Sequence, residues 1–359
     1  MSTSSPTVPP LRIGILGCAH IARQFARDVA PSPAVRIVAV ASRDAATAAA
    51  FARAHGIARH HASYQALLDD AQVDAIYLPL PNSLHAAWAV RAAQHGKHVL
   101  CEKPLALGLA EAQAMFAAAR ARGVMLLESY PYWFQPQTGA LVELLREGAI
   151  GKVRSVQASF GFTLANAAGN IRMDPQLGGG ALLDAGSYPL SLIRLVMGEA
   201  PQRVMADAVW AESGVDISLV ASLYWADERR AQIACAMDVA THRHATLVGT
   251  AGVIETEFLN HTADAPGSDP RGYLPSQMRL RRGTANTVAF EDVRSSVGSG
   301  FRFAAEAFAA AIARDDRGGI ERAAQASLDI AATLEALAQS ARTGRPADVA
   351  ATASAAREV

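Results

Sequence analysis

A chain of 359 residues is longer than one hydrophobic core usually supports, so two domains are expected. Its 33 acidic and 33 basic side chains cancel, which excludes the basic footprint of a nucleic-acid or anionic-membrane binder. Cys18, Cys101 and Cys235 are few, odd in number and far apart, which argues against a disulfide framework or a zinc cluster and for a reducing, cytoplasmic compartment with no bound metal.

Residues 1–10 lack the basic start and apolar stretch of a signal peptide and are expected to be a disordered lead-in. No run of about twenty apolar residues follows, so no membrane span is expected. Leu11–Leu16 reads as a strand and Ile21–Val29 as a helix. Between them, in the turn Gly17-Cys18-Ala19-His20-Ile21-Ala22, Gly17, Ala19 and Ala22 occupy the small-residue positions of G-x-G-x-x-G/A. Small residues there let the backbone approach a pyrophosphate, and the helix N-terminus supplies amide donors. Ala19 replaces the middle glycine. A second apolar run, Val35–Ala41, ends in Ser42-Arg43, where an NAD site normally carries a carboxylate for the ribose hydroxyls. A hydroxyl and a guanidinium instead favour NADP(H) over NAD(H), because arginine pairs with a 2′-phosphate in a forked geometry. Asp44 follows as the cap of a helix over Ala45–Ala54.

Ala75–Asn82 is a further strand and its loop, in which two prolines leave Leu80, Pro81, Asn82 and His85 at the sheet edge. His85 either faces the bound ligands or caps the helix Ala86–His95. Val99-Leu100-Cys101 is a buried strand that runs into Glu102-Lys103-Pro104. Ligands of open α/β sheets bind beyond the carboxyl ends of strands, so Lys103 stands where a nicotinamide would lie, and Pro104 forces a turn. With Val124–Glu128, the alternation predicts a parallel, doubly wound Rossmann sheet over 11–131.

Beyond Lys152 strands dominate: Val153–Phe162, Arg203–Trp210, Ser218–Trp225, Arg230–Met237 and Ala245–Gly249. They predict an α/β second domain over 132–345 with a large, mostly antiparallel open sheet, and residues 346–359 form a tail. Phe303–Arg314 and Ile320–Arg342 are amphipathic helices. Too few helices exist to cover both sheet faces, so a homodimer or homotetramer through that sheet is expected. Asn170-Ile171-Arg172 and the run Gly178-Gly179-Gly180 precede Asp184 and Tyr188, which share one helical face at a spacing of four. The carboxylate can orient Lys103 or a substrate hydroxyl, and the phenol can pass a proton. Upstream, Tyr130, Tyr132 and Trp133 form an aromatic stretch that either stacks on a sugar or belongs to the core.

The order and spacing of these motifs resemble the glucose-fructose oxidoreductase / inositol dehydrogenase / rhizopine-catabolism family of NAD(P)-dependent oxidoreductases, over Leu11 to about Arg342. The resemblance implies a Rossmann domain followed by an α/β domain whose open sheet packs on a partner subunit. It implies that Lys103 hydrogen-bonds the reacting oxygen while Glu102 and Pro104 fix a loop whose Lys-Pro bond is often cis. Asp184 and Tyr188 match the family's proton relay, and Arg172 lies in a segment that reaches toward the cofactor phosphates. Tyrosine rather than histidine at 188 is similar to the branch of dihydrodiol dehydrogenases, xylose dehydrogenases and sugar-nucleotide 3-ketoreductases. Trp133 and Gln135 stand on the substrate side where that branch usually has arginine and histidine, so the substrate is not carried over. The expected reaction is hydride transfer between nicotinamide and the hydroxyl or carbonyl carbon of a small sugar, polyol or dihydrodiol. A sugar-nucleotide ketoreductase is the alternative, and a non-catalytic NADP-binding sensor the third.

Overall fold

The computed structural model describes residues 9–275 and 277–352; most of the lead-in and the last residues of the tail lie outside the described residues. Strands and helices alternate at first: β1 (Leu11–Leu16), α1 (His20–Val29), β2 (Val35–Ala41), α2 (Ala45–His55), β3 (Arg59–His61), α3 (Tyr64–Leu68), β4 (Ala75–Leu78), α4 (His85–Gln94), β5 (His98–Glu102), α5 (Leu109–Ala121) and β6 (Leu126–Ser129). All six strands run parallel in the order β3-β2-β1-β4-β5-β6. Strand order reverses between β1 and β4, which opens a crevice at their carboxyl ends. β4 and β6 are buried along their whole length, as expected of strands covered on both faces.

The chain continues through α6 (Pro136–Arg146), β7 (Val153–Thr163), α7 (Ser187–Met197), β8 (Arg203–Trp210), β9 (Asp216–Tyr224), β10 (Arg230–Ala236), β11 (Asp238–Gly249), β12 (Gly252–Thr256) and β13 (His261–Thr262). It ends with β14 (Met278–Arg282), β15 (Glu291–Asp292), β16 (Gly298–Ser299), α8 (Gly300–Arg314), α9 (Arg317–Thr343) and β17 (Ala347–Asp348). Nine of these strands form one sheet in the order β15-β14-β12-β11-β7-β10-β9-β8-β17, in which only β10 and β7 run parallel. α7 and α9 cover one face.

The last two helices bind the halves together. Phe301, Ala305 and Phe308 of α8 enter the core beside β1 and α1, on the Rossmann side. α9 sends Leu328 and Ala331 into the Rossmann core and Ile330, Leu334 and Leu337 into the core of the second sheet. A helix buried on two sides carries apolar residues over most of its circumference, which is why its periodicity reveals the helix but not its partners.

Candidate active site

At the carboxyl end of β1 the chain turns through Gly17 at φ +120°, where a Cβ would come within 2.8 Å of Leu80 Cδ2. Only glycine lets the β1 and β4 loops approach this closely. α1 then begins with Ala19 as its N-cap, and no side chain bonds its first amides. Those amides and the positive end of the helix dipole remain for an anion. Cys18, Ala19 and Ile21 are half-buried around the turn, and His20 is exposed. Beside it β2 ends in half-buried Ser42 and exposed Arg43. Asp44 is committed elsewhere, its Oδ1 accepting from Thr47 N at 2.7 Å as the cap of α2. No carboxylate pairs with Arg43 among the described residues, and its charge lies beside the Tyr64 phenol. Uncapped amides, a glycine-only turn and, at the next strand end, an arginine that meets the Tyr64 phenol but no carboxylate fit a dinucleotide with a 2′-phosphate.

β5 delivers the central group. The Lys103-Pro104 peptide is cis. Lys103 Nζ donates to Asp184 Oδ1 and to the Asp184 carbonyl, each at 2.8 Å, and lies 4.8 Å from the centroid of the Tyr188 ring. Burial works against the ammonium, but Asp184, Tyr188 and Glu102 outweigh it and hold the lysine above its ordinary range. For Asp184, burial opposes ionisation while Lys103 and Arg172 together bring its pKa down to about 2. Arg172 Nε donates to Asp184 Oδ2 at 2.5 Å, so this arginine is spent on the carboxylate. The Tyr188 hydroxyl accepts from Asn260 Nδ2 at 2.9 Å, and its ring meets Phe160 and Tyr130 edge to face.

Asp184 does not lie on a regular α-helix. Leu182–Gly186 forms a π-helical turn that runs into α7. Pro189, five residues beyond Asp184, has no N–H for a π-type bond, and the Asp184 carbonyl takes the Lys103 ammonium. The turn is entered through Gly180 at φ +111°, where a Cβ would lie 2.2 Å from Asp216 Oδ1; Asp216 Oδ2 accepts from Leu182 N at 2.6 Å.

The loops around this cluster are tied by polar groups inside the protein. His85 is buried, its Nε2 standing 2.8 Å from the Leu80 carbonyl oxygen and its Nδ1 2.9 Å from that of Pro104. Burial keeps the imidazole neutral, so one nitrogen donates while the other only packs against its carbonyl, and the ring, 1 % exposed, bears on the cofactor crevice through the two loops it joins. Asn82 Nδ2 donates to the Gly178 carbonyl at 2.8 Å, and half-buried Leu80 and Pro81 flank it. Glu102 accepts from the Tyr77 hydroxyl at 2.7 Å, and Glu128 accepts from Leu105 N at 2.8 Å. Burial pushes both carboxyls up to about 7.

Of the two readings of the aromatic stretch, the structure favours the core for most of it. Tyr130 and Tyr132 are fully buried; the Tyr132 hydroxyl lies 2.7 Å from Ser191 Oγ and accepts from Trp133 Nε1 at 2.7 Å. Gln135 is 2 % exposed and donates to the carbonyls of Asn260 and Gly298, so it fastens a loop instead of facing a substrate. Of Tyr130, Tyr132, Trp133 and Gln135, only Trp133 keeps a partly exposed side chain. Two residues that the sequence reading missed stand at Tyr188: Asn260 and Arg243, the guanidinium of which is 4.6 Å from its ring centroid. Two-residue periodicity back from buried Ala245 and Leu247 puts Arg243 on the inner face of β11.

Residues 11–130 match the family described as an oxidoreductase family with an NAD-binding Rossmann fold, and residues 139–255 match the C-terminal domain of the same family. The chain is 34% identical to D-xylose 1-dehydrogenase (NADP(+)) 2 of Haloferax volcanii over 335 residues, which cover 93% of this chain and 98% of that protein. It is 33% identical to a trans-1,2-dihydrobenzene-1,2-diol dehydrogenase of Danio rerio over 81% of this chain and 90% of that one. A 3-ketoreductase from Actinomadura kijaniata, solved in complex with NADP and TDP-benzene, shares the fold with a TM-score of 0.80 and 31% identity over 92% of this chain and 98% of that chain. With both domains matched in order, the chain belongs to the Gfo/Idh/MocA family of oxidoreductases.

Proposed function

We propose that the chain is an NADP(H)-dependent oxidoreductase acting on a hydroxyl or carbonyl carbon of a sugar, polyol or dihydrodiol. The observation that carries this reading is the Lys103–Asp184–Tyr188 cluster at the carboxyl end of β5. Relatives named for xylose, a dihydrodiol and a keto-sugar support the substrate class.

A bound nicotinamide dinucleotide supplies or takes up the hydride, which leaves the chain to hold the substrate oxygen and manage its proton. Asp184 keeps Lys103 charged through neutral pH, so during ketone reduction the ammonium donates to the oxygen on which negative charge builds. The Tyr188 hydroxyl accepts from Asn260 and keeps its own hydrogen available for that same oxygen. In the oxidising direction Lys103 must first lose its proton, which Asp184 opposes. Reduction therefore uses Lys103 in its resting, protonated form, and oxidation gains as pH rises.

The test follows NADPH absorbance over aldoses, cyclic polyols, dihydrodiols and keto-sugars. Turnover is expected in at least one class, and Lys103→Ala should lower kcat about 1,000-fold with NADPH affinity unchanged, a loss in the range of positioned acid–base catalysis. Silence across the panel, or an active Lys103→Ala enzyme, overturns the proposal.

A further inference from the structure

The inner face of β11 carries a cation that hydride transfer leaves unused. Arg243 pairs in register with Phe160 of β7. Its guanidinium carbon lies 4.0 Å from the Phe160 ring centroid, 4.6 Å from that of Tyr188 and 5.7 Å from that of Phe258. Nη1 donates to the Phe258 carbonyl at 3.1 Å. Nε and Nη2 meet no acceptor among the described residues, yet neither is sealed from solvent. These two are the side-on donor pair, whose parallel N–H bonds match two oxygens of a carboxylate or phosphate.

Arg194 and Arg229, both largely shielded from water, pair with Asp329 and Glu199. Arg243 forms no ion pair among the described residues. Asp184 and Glu257 act on it only from a distance; a guanidinium half-stripped of water without a direct ion pair is costly, and a ligand anion would offset that cost. The Tyr188 ring that Arg243 covers is the one beside Lys103 Nζ. The two cations are thus no farther apart than the ends of a substituted sugar.

We propose that Arg243 takes a carboxylate or phosphate group of the substrate through Nε and Nη2, which makes the preferred substrate an anionic sugar. The inference rests on the reading of Lys103 as the holder of the reacting oxygen. The two then divide the substrate between them, one cation at the reacting carbon and one at the charged substituent.

Binding to the NADP-loaded protein is measured by calorimetry with four probes: glucose, glucuronate, glucose 6-phosphate and dTDP-glucose. At least one anionic probe should bind about 30-fold tighter than glucose, the worth of a charge-assisted hydrogen-bond pair. The three anions distinguish carboxylate, phosphomonoester and diphosphate as the group recognised. Arg243→Met should bring the anionic probes down to the affinity of glucose for the same variant. Arg243→Lys keeps the charge but not the fork and should lose part of the anionic advantage, which carries the test if the methionine variant does not fold. Equal binding of all four probes by the wild type overturns the proposal, as does a ratio unmoved in both variants. NADPH oxidation is read in parallel. Arg243-dependent anion binding without turnover of any probe upholds the anion site and counts against the oxidoreductase reading alone.

Discussion

Arg43 stands exposed at the end of β2, and the nearest carboxylate in sequence, Asp44, is taken by the first turn of α2. A 2′-phosphate would find there a guanidinium that no carboxylate neutralises, whereas a 2′-hydroxyl would gain little. Arg43→Ala should therefore weaken NADP binding about 30-fold and change NAD binding by less than about threefold, the difference being one charge-assisted contact. Fluorescence titration with both dinucleotides measures the ratio, and an unchanged ratio removes Arg43 from this role. Residues of this kind were legible because their chemistry follows from local order: a strand end, a small-residue turn, a lysine before a proline. Arg243 and Asn260 were not, since each meets Tyr188 only after distant strands and loops pack together. Gln135 misled for the converse reason, because a polar side chain beside a site looks the same in sequence whether it faces ligand or ties down backbone.

At the scale of elements, the loop that follows β5 is held from beneath by two buried acids, Glu102 at the end of β5 and Glu128 on β6. Burial raises each to about 7 from an ordinary 4.5. The unfolded chain then releases these protons near pH 4.5 while the folded protein keeps them until about 7, so their contribution to stability falls as pH climbs through that window. Glu128→Gln retains a carbonyl oxygen for Leu105 N and removes the titration. The variant should be more stable than wild type at pH 8 by up to about 3 kcal/mol and nearly equal at pH 5, judged by paired thermal melts. A variant less stable at pH 8 contradicts the burial argument. The elements themselves were mostly visible where an apolar rhythm existed. The first half of β11, Asp238–His244, is largely exposed, so an apolar rhythm shows the strand only from Ala245 onward. The π-helical turn at Asp184 was invisible because the contact its carbonyl makes with Lys103 of the other domain is not a periodic signal.

For the whole molecule the unanswered surface is the outer face of the nine-stranded sheet. α7 and α9 lie on the inner face, and Met205, Val209, Trp210, Val220 and Val248 remain exposed, Val220 and Val209 by more than half. Gln157, Ala234 and His244 line a groove of about 580 Å³ among them. A broad sheet face with this apolar content is more consistent with an interface than with open solvent. Among the described residues no further helix exists to cover it, and a second copy presents an identical, self-complementary surface through a two-fold axis. Light scattering should accordingly give at least twice the 37.7 kDa of one chain. Val220→Lys would bury an unpaired ammonium in that interface and should shift the protein toward monomer while NADPH binding persists, since the cofactor crevice lies in the other domain. A wild-type monomer at micromolar concentration would refute the paired sheet, and the exposed valines would then need another partner to explain them.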